Sequence, residues 1–139
     1  MDNVRNTSDN DDATMPEITI QQVATLSLRH IKHILKGLHN VLGSRATVTQ
    51  ALIFVTVAEY ESLSVQELRS FTGLSAATAS RIITSMSEYD TIYKKDGPNL
   101  LNIEYETGGK LHKRVFLTSK GKELKKRLLF EQQHKPVSY

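Results

Sequence analysis

Hydrophobic residues begin to recur at three- and four-residue spacings from Pro16 onward. Ile20, Val23, Ala24, Leu28, Ile31, Leu35, Leu38 and Leu42 fall on one face of a helix, which Gly43 is placed to end. The pattern predicts a helix of roughly 26 residues, longer than a small core usually needs. Leu26, Ile34 and Val41 widen its apolar stripe. Packing against a second subunit accounts for so broad a face; a long helix buried in a single core is the alternative. Thr47 and Gln50 form a capping pair that opens a second helix. Ala51, Leu52, Ile53, Phe54, Val55 and Val57 follow with little polar interruption, so this helix is predicted to be central and buried.

The next stretch is punctuated by caps. Ser64 with Glu67 spells a capping box, and Leu63 and Leu68 are placed as its hydrophobic staple. Gly73 ends that short helix, and Ser75 caps another, with Leu74 placed to staple onto Ala79. Two short helices joined through Thr72-Gly73-Leu74-Ser75 make a helix-turn-helix. The second helix has an apolar face of Ala79, Ile82, Ile83 and Met86. Its other positions, Ser75, Ala76, Ala77, Thr78, Ser80, Arg81, Thr84 and Ser85, are small or hydrogen-bonding. Small residues let a helix approach a groove floor, and Arg81 is placed to reach guanine or a phosphate.

Beyond Asp90 the period changes to two. Leu101, Ile103 and Tyr105 alternate with Asn102, Glu104 and Glu106; Val115 and Leu117 alternate with Arg114 and Phe116. Pairing Tyr105 with Lys113, Ile103 with Val115 and Leu101 with Leu117 keeps the aliphatic residues on one face. It also sets Glu104 opposite Arg114 and leaves a three-residue loop, Gly108-Gly109-Lys110. The hairpin is a basic wing carrying Lys110, His112, Lys113 and Arg114. Thr118 or Ser119 then caps a last helix in which Leu124, Leu128 and Leu129 share a face among five cations.

Charge sharpens this picture. The chain has 139 residues and a net charge of +3, yet residues 1–17 hold five acidic groups against one arginine. The body is therefore basic, with nine Lys/Arg against two Glu over residues 110–135, which suits a polyanionic partner. With no cysteine, disulfides, thiolate metal sites and cysteine nucleophiles are excluded. No apolar run is long enough to span a bilayer and the first residues lack a secretory core, so a cytoplasmic location, nucleoid-associated when bound to DNA, is expected. No phosphate loop, Ser/His/Asp set or paired carboxylates stands out, so no enzyme, metal or cofactor is expected. His30 and His33 lie beside Arg29, Lys32 and Lys36 and read as a solvated polar face.

The order of long helix, buried helix, helix-turn-helix, hairpin and terminal helix resembles the multiple-antibiotic-resistance regulator (MarR) family of winged-helix transcription factors. Three segments carry the resemblance: Thr47 to Ser64, Leu74-Ser75-Ala76-Ala77-Thr78-Ala79-Ser80-Arg81-Ile82-Ile83, and Val115-Phe116-Leu117-Thr118-Ser119-Lys120-Gly121. The resemblance implies a homodimer joined through terminal helices. It also implies recognition helices in successive major grooves of a pseudo-palindromic site, wings in the flanking minor grooves, and, in many members, release by a small ligand. The family's wing usually carries Asp-x-Arg; Gly109 and Leu111 stand at those positions here.

The expectation is a mainly α protein with a small β-hairpin (α+β), a winged helix-turn-helix with N- and C-terminal dimerisation helices. Residues 1–15 form a disordered acidic tail, and residues 16–139 form one domain. Within it, residues 16–43 and 119–134 dimerise, through Ile20, Ala24, Leu28, Ile31, Leu35, Leu38, Leu124 and Leu128, while residues 47–118 bind DNA. The partners are double-stranded DNA and a second copy, with a small-molecule effector of unknown identity and no membrane. The expected activity is transcriptional regulation, by repression. A winged helix used for protein–protein contact is the rival reading.

Overall fold

A computed structural model of the chain describes residues 16–106 and 112–130. The acidic tail of residues 1–15, the hairpin loop with Lys110, and residues beyond 130 lie outside that range. Helix α1 (Pro16–Leu42) closes with the Gly43 N–H donating to the His39 carbonyl at 2.8 Å. Thr47 opens α2 (Val48–Tyr60) with a full capping box: Gln50 N–H donates to Thr47 Oγ1, and Thr47 N–H to Gln50 Oε1. A three-residue strand, β1 (Ser62–Ser64), leads straight into α3 (Val65–Thr72).

At the start of α3 the second capping box is complete. Glu67 N–H donates to Ser64 Oγ at 2.9 Å, and Ser64 N–H donates to Glu67 Oε1 at 3.0 Å. Gly73 ends α3 at φ 73°, a left-handed conformation that a side chain would strain. Ser75 caps α4 (Ala76–Ser85) by accepting from the Thr78 N–H. Two-residue strands β2 (Tyr89–Asp90) and β3 (Lys95–Asp96) then pair in a small hairpin that the sequence pattern did not announce. Buried Asp90 holds its loop, accepting from the Ile92 and Tyr93 N–H groups at 2.9 and 3.3 Å.

Strands β4 (Leu101–Glu106) and β5 (His112–Leu117) pair in the register read from the alternation, with Leu101 opposite Leu117, Ile103 opposite Val115 and Tyr105 opposite Lys113. The three-stranded sheet has the order β1-β5-β4. Of the two candidate caps for α5 (Ser119–Phe130), Thr118 does the work, its Oγ1 accepting from the Gly121 N–H at 3.0 Å. Helices, turn, hairpin and terminal helix thus form a winged helix-turn-helix around one core, in which Phe54, Leu68, Ile83, Leu101 and Val115 are fully buried. Among the described residues, no helix is long and apolar enough to cross a membrane.

Three sequence readings need correction. The α1 stripe is not one interface: Leu38 sits in the core, while every residue from 20 to 29 is exposed because the N-terminal half of the helix projects past it. Helix α2 is not buried all round, since Leu52 and Val55 face outward. His30 and His33 are not simply solvated; their Nε2 atoms lie 3.3 and 3.4 Å from the Leu128 and Arg127 carbonyls in the last turn of α5. Imidazole N–H groups are suitable partners for carbonyls near the end of a helix.

Helices α1 and α5 meet at Gly37, where an added Cβ would collide with the Leu128 side chain. Leu128 is buried against this contact, and its truncation to alanine should cost about 2–5 kcal/mol. Gly37→Ala should add stability in the Leu128→Ala background, where helix propensity acts without the clash. In the otherwise unchanged chain the same substitution should add less stability or remove some. Urea unfolding of the four proteins at fixed concentration checks this; additive effects would show that the two positions do not share the contact.

Candidate nucleic-acid interface

The outward face of α4 is small except for one residue. Ser75, Ala76, Ala77 and Arg81 are exposed, whereas Thr78, Ser80, Thr84 and Ser85 are half-buried. Most of those hydroxyls are engaged locally: Ser75 Oγ donates to Thr78 Oγ1, and Thr84 Oγ1 donates to the Ser80 carbonyl at 2.8 Å. Ser85 points toward α2, donating to the Ile82 carbonyl at 2.6 Å and accepting from Gln50 Nε2 at 3.3 Å. Ser85 is therefore bound into the α2–α4 contact rather than presented outward. Arg81 is the long donor-rich side chain of this face, rising from a turn of alanines.

Strand alternation divides the wing cations between two faces. Lys113 shares the inner face with Val115 and Leu117, and its Nζ lies 5.7 Å from the centre of the Tyr105 ring. Arg114 is on the outer face, half-buried, opposite Glu104, with its Nε donating to Ser62 Oγ at 3.1 Å. The backbone places His112 opposite Glu106 at the start of β5. Lys110 lies outside the described residues.

Of the residues expected to dimerise, Ile20, Ala24, Leu28, Ile31 and Leu35 are exposed, while Leu38, Leu124 and Leu128 belong to the core of the single chain. The exposed set continues into a groove of about 510 Å³ between α1 and α2, floored by Leu28, Ile31, Leu35 and Val48.

Sequence reading missed a second opening, a crevice of about 260 Å³ bounded by α3, α4 and the inner face of the wing. Arg69 and Gln66 line it from α3, Ala76 and Ser80 from α4, and Ile103 and Lys113 from the wing. Arg69 Nε donates to the Leu74 carbonyl at 3.3 Å, stitching α3 to the turn. The only signal for Arg69 in the sequence was a lone cation inside an otherwise local helix pattern.

Neither a family model nor a curated protein matches the sequence. Solved structures match in shape. RV1404 from Mycobacterium tuberculosis superimposes at a TM-score of 0.58 over 85% of this chain and 74% of its own, with 13% identity. YusO from Bacillus subtilis gives 0.53 over 88% and 78%, with 15% identity. Reduced AbfR bound to DNA gives 0.54 over 96% and 87%, with 12% identity. AbfR and YusO are MarR-family winged-helix regulators. The chain has their fold. Its winged helix is the one that the order of caps and alternating strands implied.

Within this winged helix, Glu67 joins helix capping to the wing. Hydrogen bonds from the Ser64 backbone and hydroxyl, and then the nearby Arg114 charge, hold its carboxyl below the ordinary carboxylate pKa. A lowered folded-state pKa contributes stability that is present above the unfolded value and lost as pH falls through the folded one. Glu67→Gln keeps the cap geometry but cannot ionise, so it should flatten that part of the acid-stability curve. Urea midpoints at pH 7 and pH 3 check this: the variant should lose less stability on acidification than the parent.

Proposed function

We propose that the chain is a sequence-specific double-stranded DNA-binding transcriptional regulator, acting by repression as a homodimer on a pseudo-palindromic site. The observation that carries this reading is the capped α3–turn–α4 unit presenting Ala76, Ala77 and Arg81 outward beside a cationic wing. Small residues permit close approach to a groove floor, and a guanidinium satisfies guanine bidentately. The likeness to AbfR, whose structure is of a DNA-bound protein, supports the same reading. In it, residues 47–118 bind DNA, and residues 16–43 and 119–134 join two copies. Because Leu38, Leu124 and Leu128 are consumed by the core, the joining surface is Ile20, Ala24, Leu28, Ile31 and Leu35, with exposed Leu129 and Phe130 from α5. A stripe of that size left in water favours association.

Two measurements test the proposal. Leu28 is 68% exposed, so Leu28→Asp leaves the subunit core intact while placing a charge in the joining surface. Sedimentation should show the parent as a dimer and the variant as a folded monomer with weakened DNA binding; a folded parent monomer at micromolar concentration overturns the dimer. Binding-site selection from random duplexes should return a two-fold related sequence. Arg81→Ala should then cost about 1–3 kcal/mol and relax preference at one position of each half-site.

The rival, a protein-interaction module, draws on one feature. Tyr60 and Phe71 stack at 4.9 Å and 4° on the surface, and both are half exposed. Aromatic anchors of this kind suit protein interfaces. Failure to select any duplex favours that reading.

A further inference from the structure

We propose that the crevice between α3, α4 and the wing seats one backbone phosphodiester of double-stranded DNA, shared by Arg69 and Lys113. This inference rests on the DNA-binding reading and assigns Arg69 a role within it. Both cations line the same crevice of about 260 Å³, one from a helix and one from the wing, and among the described residues no acidic side chain lines it. Like charges facing a common space repel, and an anion between them converts that repulsion into two attractions.

The geometry favours a phosphodiester over a bare ion. Arg69 spends its Nε–H on the Leu74 carbonyl, which orients the guanidinium and leaves its remaining donors for a ligand. Ser80 adds a hydroxyl, while Ile103 and Ala76 offer apolar surface of the kind a deoxyribose covers. Lys113 is exposed, and its Nζ lies beside the Tyr105 ring. The crevice also borders Ala76, on the exposed start of α4, so one duplex can meet the helix and the crevice together.

The experiment uses the full chain and a duplex that it selects from a random library. Affinity is measured over a range of salt for the parent, Arg69→Gln, Lys113→Gln and the double variant. Each single change should lower the slope of log affinity against log salt. The double change should lower it by about 0.9 per subunit, the value for one phosphate, with the preferred sequence unchanged. In a set of duplexes carrying one methylphosphonate each, a single position per half-site should abolish the sensitivity to both substitutions.

A fall of about 1.8 per subunit means two separate phosphates and overturns the shared seat. Two different sensitive methylphosphonate positions, or unchanged slopes, do the same. Arg69→Lys keeps the charge but not the Leu74 contact. It should preserve most of the slope; if it loses as much as Arg69→Gln while its melting temperature falls equally, Arg69 only braces the turn and the proposal fails. If the parent chain selects no duplex, the DNA-binding reading itself fails, an outcome distinct from all of these.

Discussion

Three residues hold the wing and the helix-turn-helix in one frame. In β1, Ser62, Leu63 and Ser64 pair with Phe116, Val115 and Arg114 of β5, and Leu63 and Val115 are both buried. Ser64 ends this strand and caps α3, so strand pairing and helix initiation meet in one residue. The wing is fixed at its other end by the Met86 carbonyl, which accepts from the Leu100 and Leu101 N–H groups at 2.7 and 3.1 Å, just beyond the last turn of α4. The position of the wing relative to both helices is therefore set by main-chain hydrogen bonds rather than by side-chain packing alone. A crevice whose walls come from α3, α4 and the wing inherits that rigidity, which lowers the entropic cost of holding a ligand there.

Features decided by near neighbours in sequence could be read directly. Both capping boxes join residues three apart, Gly73 needed only its own left-handed conformation, and the β4–β5 register followed from alternation that keeps Leu101, Ile103, Val115 and Leu117 on one face. Features decided by distant contacts could not. Strand β1 is hidden because Leu63 and Ser64 read as a staple and a cap, and Ser64 both caps α3 and pairs with β5. The β2–β3 hairpin depends on buried Asp90 collecting two N–H groups, a tertiary stabilisation that no periodicity encodes. Arg69 shares a crevice with Lys113 only because folding brings the wing beside α3.

Helix α1 shows why a stripe alone does not assign an interface. Its C-terminal half uses Leu38 for the core and Gly37 for close approach to α5, while its N-terminal half runs out beyond the domain. Periodicity is the same in both halves because an apolar residue against the subunit's own core and one against a second subunit obey the same helical spacing. The stripe changes from exposed to buried where α1 comes against Leu128 and the core.

The wing makes a parallel point about charge. Lys113 and Arg114 are adjacent in sequence but occupy opposite faces of β5. Arg114 has Ser62 as a hydrogen-bond partner, Glu104 across the strand and Glu67 nearby. Much of its charge is answered within the chain. Among the described residues, by contrast, no carboxylate pairs with Arg69, Arg81 or Lys113. The sequence sets Lys113 and Arg114 side by side in one basic wing, whereas the fold separates a structural arginine from a lysine facing an open crevice. On the DNA-binding reading, gripping then falls to Arg69 and Lys113, and base reading falls mainly to Arg81, since the hydroxyls of α4 are largely engaged within the chain. One long reading side chain per helix gives a narrow direct code, so the remaining discrimination at the site must come from the shape and deformability of the DNA.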